Sequence, residues 1–145
     1  MDYADCRPLL VEDDPDFLFL LRRVLARAGV PAGNIRARHD GESALAELEG
    51  DGPGPSLVIL DHKLPKMTGL DVLRRLRERG GAPPVFFMSS SDDPPTVSEA
   101  YRLGAEAYFI KPLRLDLLQD HVAEMLACWR GLSSERPLKG SLRPV

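Results

Sequence analysis

Leu57-Val58-Ile59-Leu60-Asp61 is the stretch that decides the fold. Its first four residues are apolar without interruption, and the fifth is an acid. A strand with only one buried face alternates apolar and polar side chains. A short run that is apolar at every position reads instead as a central strand of a parallel sheet, covered on both faces. The loose segment Gly50-Asp51-Gly52-Pro53-Gly54-Pro55 precedes it as a loop. Parallel neighbours need crossover connections long enough to hold a helix, so the flanking sequence should alternate strands with helices.

It does so in both directions. Upstream, Pro8-Leu9-Leu10-Val11 is a second apolar run, cut off by Glu12-Asp13-Asp14. Asp14 can cap a helix that Pro15 opens. Phe17, Leu18, Leu21, Val24, Leu25 and Ala28 then recur at helical spacing until Gly29. Ile35-Arg36-Ala37 is a weaker strand. Asp40-Gly41-Glu42 leads into a helix with Ala44, Leu45 and Leu48 on one face. Downstream, Gly69 to Arg79 reads as a helix with Leu70, Leu73 and Leu76 inward, and Pro84-Val85-Phe86-Phe87-Met88 as a strand ending in Ser89-Ser90-Ser91. A helix from Pro94 to Leu103, a strand Ala107-Tyr108-Phe109-Ile110 ending at Lys111-Pro112, and a helix from Leu113 to about Arg130 complete the series. Five strand–helix units predict an α/β fold, a flavodoxin-like doubly wound five-stranded parallel sheet with five helices. The order 2-1-3-4-5 is carried over from that class of sheets. Residues 1–130 form one domain. Residues 131–145, dominated by Ser, Pro, Lys and Arg, read as a C-terminal extension.

Composition narrows the function classes. Lys plus Arg number 19 against 22 Asp plus Glu, a net charge of -3, so there is no basic excess for nucleic acid. No apolar stretch reaches the roughly 18 residues of a membrane span. Met1 to Pro8 has no apolar signal core, and a cytoplasmic protein is expected. Cys6 and Cys128 lie far apart with no metal spacing and read as reduced thiols. His39, His62 and His121 form no metal set.

The chemistry gathers at strand ends. The first strand ends at Glu12-Asp13-Asp14, the third at Asp61, the fourth at Ser89-Ser90-Ser91 and the fifth at Lys111. Taken singly, an acidic run is a helix cap, a triple serine a loop and a lysine a surface charge. In an open α/β sheet, however, the ligand crevice lies beyond the carboxyl ends of the strands, so all four groups face one site. Glu12, Asp13 and Asp61 in one place repel one another unless protonated or bound to a cation, and an all-oxygen set favours Mg²⁺. Lys111 adds a positive charge and Ser89 a hydroxyl. The set suits a phosphoryl group, with Asp61 as the nucleophile of an acyl phosphate.

These residues resemble, over roughly residues 7 to 128, the receiver domain of bacterial response regulators. Leu9-Leu10-Val11-Glu12-Asp13-Asp14-Pro15 resembles that family's first-strand acid motif. Asp61 with Leu64-Pro65, Met67 and Gly69 resembles its phosphoacceptor motif, and Lys111-Pro112 its fifth-strand lysine. The resemblance implies Asp61 as the phosphoacceptor, with Lys111 and Ser89 beside it. It implies Mg²⁺ held by Asp13, Asp61 and the Lys63 backbone carbonyl, with Glu12 acting mostly through a metal-bound water. It also implies a phosphoryl contact from the Ser90 backbone N–H, and a switch made of Ser89 and Tyr108. The implied partner is a histidine kinase or a phosphotransfer protein. The face of the fourth helix, fifth strand and fifth helix, with Arg102, Glu106, Arg114 and Asp116 at its edge, would serve a homodimer or a partner. Ser89-Ser90-Ser91-Asp92-Asp93, the Tyr101 to Ala105 run and Trp129 look like the small regulators that accompany bacterial phytochromes, which lack an output domain.

Three other classes fit less well. An Asp-based phosphatase or mutase usually has a second acid two residues after its nucleophile, where this chain has Lys63. A DNA-binding regulator would need a helix-turn-helix, and none follows residue 131. A scaffold that no longer accepts phosphate would not need the full acid, serine and lysine set. A receiver serving as a relay, passing its phosphoryl group to a histidine phosphotransfer protein, is the alternative within the same class.

Overall fold

A computed structural model of the chain describes residues 3–132 and 137–144. In chain order the elements are β1 (Pro8–Val11), α1 (Pro15–Arg27), β2 (Arg36–Arg38), α2 (Gly41–Leu48), β3 (Leu57–Leu60), α3 (Gly69–Glu78), β4 (Val85–Ser89), α4 (Pro94–Arg102), β5 (Ala107–Ile110) and α5 (Leu115–Trp129), with a 3-10 turn at Ala32–Asn34. All strand pairs are parallel, in the order β2-β1-β3-β4-β5. This is the flavodoxin-like arrangement expected from the strand–helix alternation.

Burial explains why the central runs are apolar throughout. Every residue of β1, β3 and β4 is buried. Alternate side chains feed two cores. Leu10, Ile59, Phe86 and Phe109 pack with Leu21, Leu25, Val122 and Met125 of α1 and α5. Leu9, Val58, Leu60, Phe87 and Tyr108 pack with Ala44, Val72, Leu73, Val97 and Ala100 of α2, α3 and α4.

Local signals set the helix starts. The Asp14 carboxylate accepts from the Asp16 and Phe17 amides at 3.0 and 3.4 Å. Thr68 and Asp71 form a reciprocal capping box at the start of α3. Several element ends shift by a residue from the sequence reading, and three departures have a physical cause. β2 sits one residue later, because its pairing is fixed by Leu9 to Val11 of β1 and not by its own apolar content. α5 starts at Leu115, with Leu113 fully exposed before it. The extension does not stand apart: within 137–144, Leu138 is 1% exposed and packs in the α1/α5 core, and Leu142 bridges to Tyr108. The composition of 131–145 hides this, since only these two apolar residues anchor the segment. Among the described residues no helix is long and apolar enough to cross a membrane.

Candidate functional site

The sheet itself brings the chemical groups together. Register pairs Val11 with Leu60, so the residues after them, Glu12 and Asp61, emerge side by side. The ladder continues past the strand ends: the Asp61 amide donates to the Val11 carbonyl at 3.0 Å, and the Glu12 amide to the Arg38 carbonyl at 3.0 Å. On the other side the Lys111 amide donates to the Ser89 carbonyl at 2.8 Å. These backbone bonds fix where each functional side chain starts.

Lys111 joins the two acids. Its Nζ lies 2.7 Å from Glu12 Oε1 and 2.9 Å from Asp61 Oδ2. The same ammonium sits 4.8 Å above the Phe17 ring, a cation–π contact absent from the sequence reading, which takes Phe17 only as a core residue. Glu12 and Asp61 are 3% and 4% exposed, while Asp13 is exposed. The free carboxylate oxygens are partly engaged, Glu12 Oε2 by the Asp14 amide at 3.0 Å and Asp61 Oδ1 by the Lys63 amide at 3.3 Å.

Two buried carboxylates share one ammonium. Burial is the dominant effect at Glu12 and raises its pKa to about 7, with the Asp61 charge adding to it and hydrogen bonds from Lys111 and Asp14 opposing it. At Lys111 burial works against the charge, but the hydrogen bonds to Glu12 and Asp61 outweigh it and its pKa is raised. Near neutral pH the site therefore carries a firmly charged lysine and a glutamate close to holding a proton.

One oxygen each from Glu12, Asp13 and Asp61 lies within 4.8 Å of the others. An all-oxygen set with excess negative charge and one member open to solvent fits a hard, partly hydrated divalent cation. Lys63 is exposed, and its amide is the atom bonded to Asp61. Ser90 is exposed too, whereas Ser89 is fully buried. The Ser89 hydroxyl accepts from the Ser91 amide at 3.2 Å.

Tyr108 lies inside the fold, 0% exposed and stacked on Phe87 at 5.3 Å between centroids. Its hydroxyl donates to the Ser91 carbonyl at 2.8 Å, which satisfies its one polar atom in the buried position. Ser91 links the ring to Ser89. Tyr101 and Trp129 also carry hydrogen bonds. The Trp129 indole donates to the Ser56 carbonyl at 3.1 Å, and Tyr101 binds the segment around Leu142.

The Glu12 titration has a measurable consequence. A carboxyl whose folded pKa stands above its ordinary value favours the fold most below about 4.5, and that contribution fades as pH rises through about 7. A cation must displace the proton. Mg²⁺ affinity measured by calorimetry should accordingly fall as pH drops from 8 to 6. Asp13→Ala should weaken it by at least about tenfold at pH 8, or about 1.4 kcal/mol. Undiminished affinity in that variant would exclude Asp13 as a ligand.

Comparison with known proteins agrees with this geometry. The family description "Response regulator receiver domain" matches residues 9–123. The chain is 32% identical over 142 residues to the transcriptional regulatory protein TrcR of Mycobacterium tuberculosis, an alignment covering 98% of this chain and 52% of TrcR. It is 36% identical over 129 residues to the probable methanogenesis regulatory protein FilR2 of Methanothrix harundinacea, covering 85% of this chain and 83% of that protein. The chain thus spans about half of TrcR, and less than a third of the transport regulator DctD of Pseudomonas aeruginosa. Among solved structures, the phosphorylated cyanobacterial phytochrome response regulator RcpA superposes with a TM-score of 0.77 at 27% identity, over 91% of this chain and 96% of that one. The Mn(2+)-bound form of response regulator Rcp1 gives 0.74 at 28% identity, over 88% and 95%.

Proposed function

Since the chain belongs to the response regulator receiver domain family of two-component systems, we propose that it accepts a phosphoryl group on Asp61 from a histidine kinase, with Mg²⁺ bound by Asp13 and Asp61. The observation that carries this reading is the position of Lys111, whose ammonium touches both Asp61 and Glu12 at the rim of the sheet. The family resemblance adds the Lys63 carbonyl as a third ligand and gives Glu12 a metal-bound water. Likeness to the cyanobacterial phytochrome response regulator RcpA supports a donor of the phytochrome class. The absence of a nucleic-acid-type charge excess supports a partner that is protein.

The chemistry follows from the residues. An Asp61 carboxylate oxygen attacks the phosphorus of a phosphoimidazole. A P–O bond forms, the P–N bond breaks, and the imidazole leaves with the bonding pair and takes a proton from solvent. The cation, when bound, neutralises phosphoryl oxygens. Lys111 holds Asp61 in place before transfer and is within reach of an anionic phosphoryl oxygen after it. The Ser90 amide donates to another oxygen, and the Ser89 hydroxyl draws toward the group. Moving Ser89 disturbs the Ser91 amide it accepts from, and with it the Ser91 carbonyl that holds Tyr108. This coupling carries the signal to the face of α4, β5 and α5. The protein is a phosphoacceptor working in the cytoplasm. Labelling by acetyl phosphate or kinase should vanish in Asp61→Asn with the fold intact; labelling at the wild-type rate would refute the assignment.

The phosphoryl lifetime is set by two neighbours. Water must approach in line behind phosphorus, past Lys63 and Ser91. A lysine over the phosphoryl oxygens offers no proton acceptor, and it stabilises the phosphorylated ground state without favouring the transition state. Self-dephosphorylation should be slow. Lys63→Asn with Ser91→Glu should speed it several-fold, by about 1–2 kcal/mol of barrier, in a time course of label loss in Mg²⁺ buffer. Wild-type decay within seconds, or a double variant no faster than wild type, would contradict this.

A further inference from the structure

The free edge of the sheet is not free. β5 is the last strand in the order, yet part of its outer edge is occupied by this chain's own segment 137–144. The Leu142 amide donates to the Tyr108 carbonyl at 2.8 Å as an isolated antiparallel bridge. A regular antiparallel pair would return the second bond directly, from Tyr108 N–H to Leu142 C=O. Here the Tyr101 hydroxyl stands between them. It accepts from the Tyr108 amide at 3.2 Å and donates to the Leu142 carbonyl at 2.5 Å.

Two further anchors hold the segment. The Gly140 amide donates to the Glu124 carboxylate of α5, at 2.9 and 3.1 Å to its two oxygens. Leu138 lies buried in the α1/α5 core while Leu142 packs against the α2/α3/α4 core. The segment therefore straddles the edge of β5, with one leucine in each layer, across the face between α4 and α5.

The residue that it grips is the residue that the site grips. Tyr108 holds the segment through its backbone, and through its hydroxyl it holds Ser91, whose amide donates to Ser89. Asp61 reaches the same strand end through Lys111. The hold that Tyr108 itself has on the segment is one direct ladder bond and one relayed bond, so a small displacement of Tyr108 breaks the alignment of both.

The surface around it suits a second copy of the same chain. A two-fold contact places one patch against itself, so a charged patch suits it only when it carries both signs. Exposed Arg102 pairs with half-buried Glu99 on α4, and exposed Arg114 with exposed Asp116 at the start of α5. Such pairs can exchange for equivalent pairs between two copies.

We propose that segment 137–144 is a tethered competitor for the α4–β5–α5 face, displaced when Asp61 is phosphorylated so that a second copy of the chain can take its place. This rests on the functional reading above. When a docked segment blocks a face, apparent affinity falls by the fraction of open molecules, so releasing it should tighten self-association by about tenfold.

The test uses the full chain, with Mg²⁺ and beryllofluoride as the phosphoryl mimic. Hydrogen exchange at the Leu142 amide reports the segment, sedimentation equilibrium reports the dimer, and amide shifts around Asp61 report loading. Expected are a protected Leu142 amide at rest, and about tenfold lower protection with dimer formation on loading. Leu138→Asp, which cannot keep its side chain in the core, and the milder Tyr101→Phe should both associate more tightly than wild type without the mimic. Unchanged Leu142 protection in the loaded protein overturns the proposal, as does a released segment on a chain that stays monomeric. So does a failure of both variants to associate more tightly than wild type. If no shift appears around Asp61, the functional reading falls, and the two variants alone decide the competitor role.

Discussion

Lys111→Gln should destabilise the chain by about 3 kcal/mol at pH 8 and by much less at pH 5. Among the described residues, Lys111 is the only cation bonded to Glu12 and Asp61, which are 3% and 4% exposed. Removing one partner of a buried pair leaves the other uncompensated, a loss of about 3–5 kcal/mol. The lysine side chain retains 16% exposure, which places the expectation at the low end. The pH dependence follows from Glu12. Its pKa already stands at about 7 because burial disfavours its charge, and the Lys111 hydrogen bond is the strongest influence holding it down. Without that bond it rises further. Glu12 then folds neutral at pH 5 with little strain on the site, whereas at pH 8 folding must either bury its charge or retain its proton. Mg²⁺ should restore part of the loss at pH 8, since a cation answers the same excess of negative charge. Urea unfolding at the two pH values, with and without Mg²⁺, measures all of this. A loss independent of pH would mean that Lys111 acts through packing on Phe17 and not through the acids.

Gly69→Ala should slow phosphorylation of Asp61 by about a hundredfold, more than its effect on stability explains. A Cβ at residue 69 would lie 2.4 Å from the Asp61 carbonyl oxygen, 2.9 Å from His62 Cα and 3.0 Å from the Phe87 ring. Two of the three are backbone atoms, which cannot swing aside. The Gly69 amide also donates to the His62 carbonyl at 2.8 Å, so the start of α3 is tied to the loop that follows Asp61. Relief of the clash must push that loop. Overpacking of this kind costs about 1–3 kcal/mol, offset in part by about 0.4–1 kcal/mol from the stiffer unfolded chain. A misplacement of about 1 Å at reacting atoms is worth roughly 10²-fold in rate. The acetyl phosphate labelling rate, taken beside the unfolding free energy, separates the two effects. Labelling that falls only in proportion to the unfolded fraction would show that the loop does not move.

What the sequence discloses here is governed by range. Leu57 to Leu60 announces a doubly covered strand because burial on both faces leaves no polar position, and the acids and lysine after the strands can be placed because parallel strands end on one side of a sheet. The gathering of these groups at one rim was legible for that reason, whereas the bonds from Lys111 to both Glu12 and Asp61 were not. β2 was less so, since Arg36 and Arg38 owe their extended backbone to pairing with β1. The inward ring of Tyr108 depends on a carbonyl at Ser91 and a ring at Phe87, neither of them local to residue 108. The segment around Leu138 and Leu142 escaped because two leucines among Pro, Lys, Gly and Ser form no period. Its bonds are made to Tyr101, Tyr108 and Glu124, more than fifteen residues away in each case.

The central claim is that Asp61, and no other carboxylate of the cluster, forms the acyl phosphate. An acyl phosphate is reduced by borohydride to the alcohol, which converts the labelled aspartate into homoserine and leaves every free carboxylate untouched. The chain is incubated with acetyl phosphate and Mg²⁺, reduced, digested and sequenced by mass spectrometry. The account predicts homoserine at position 61 alone, and none when Mg²⁺ is omitted. Modification at Glu12 or Asp13, or no modification anywhere in protein that binds Mg²⁺, would contradict it.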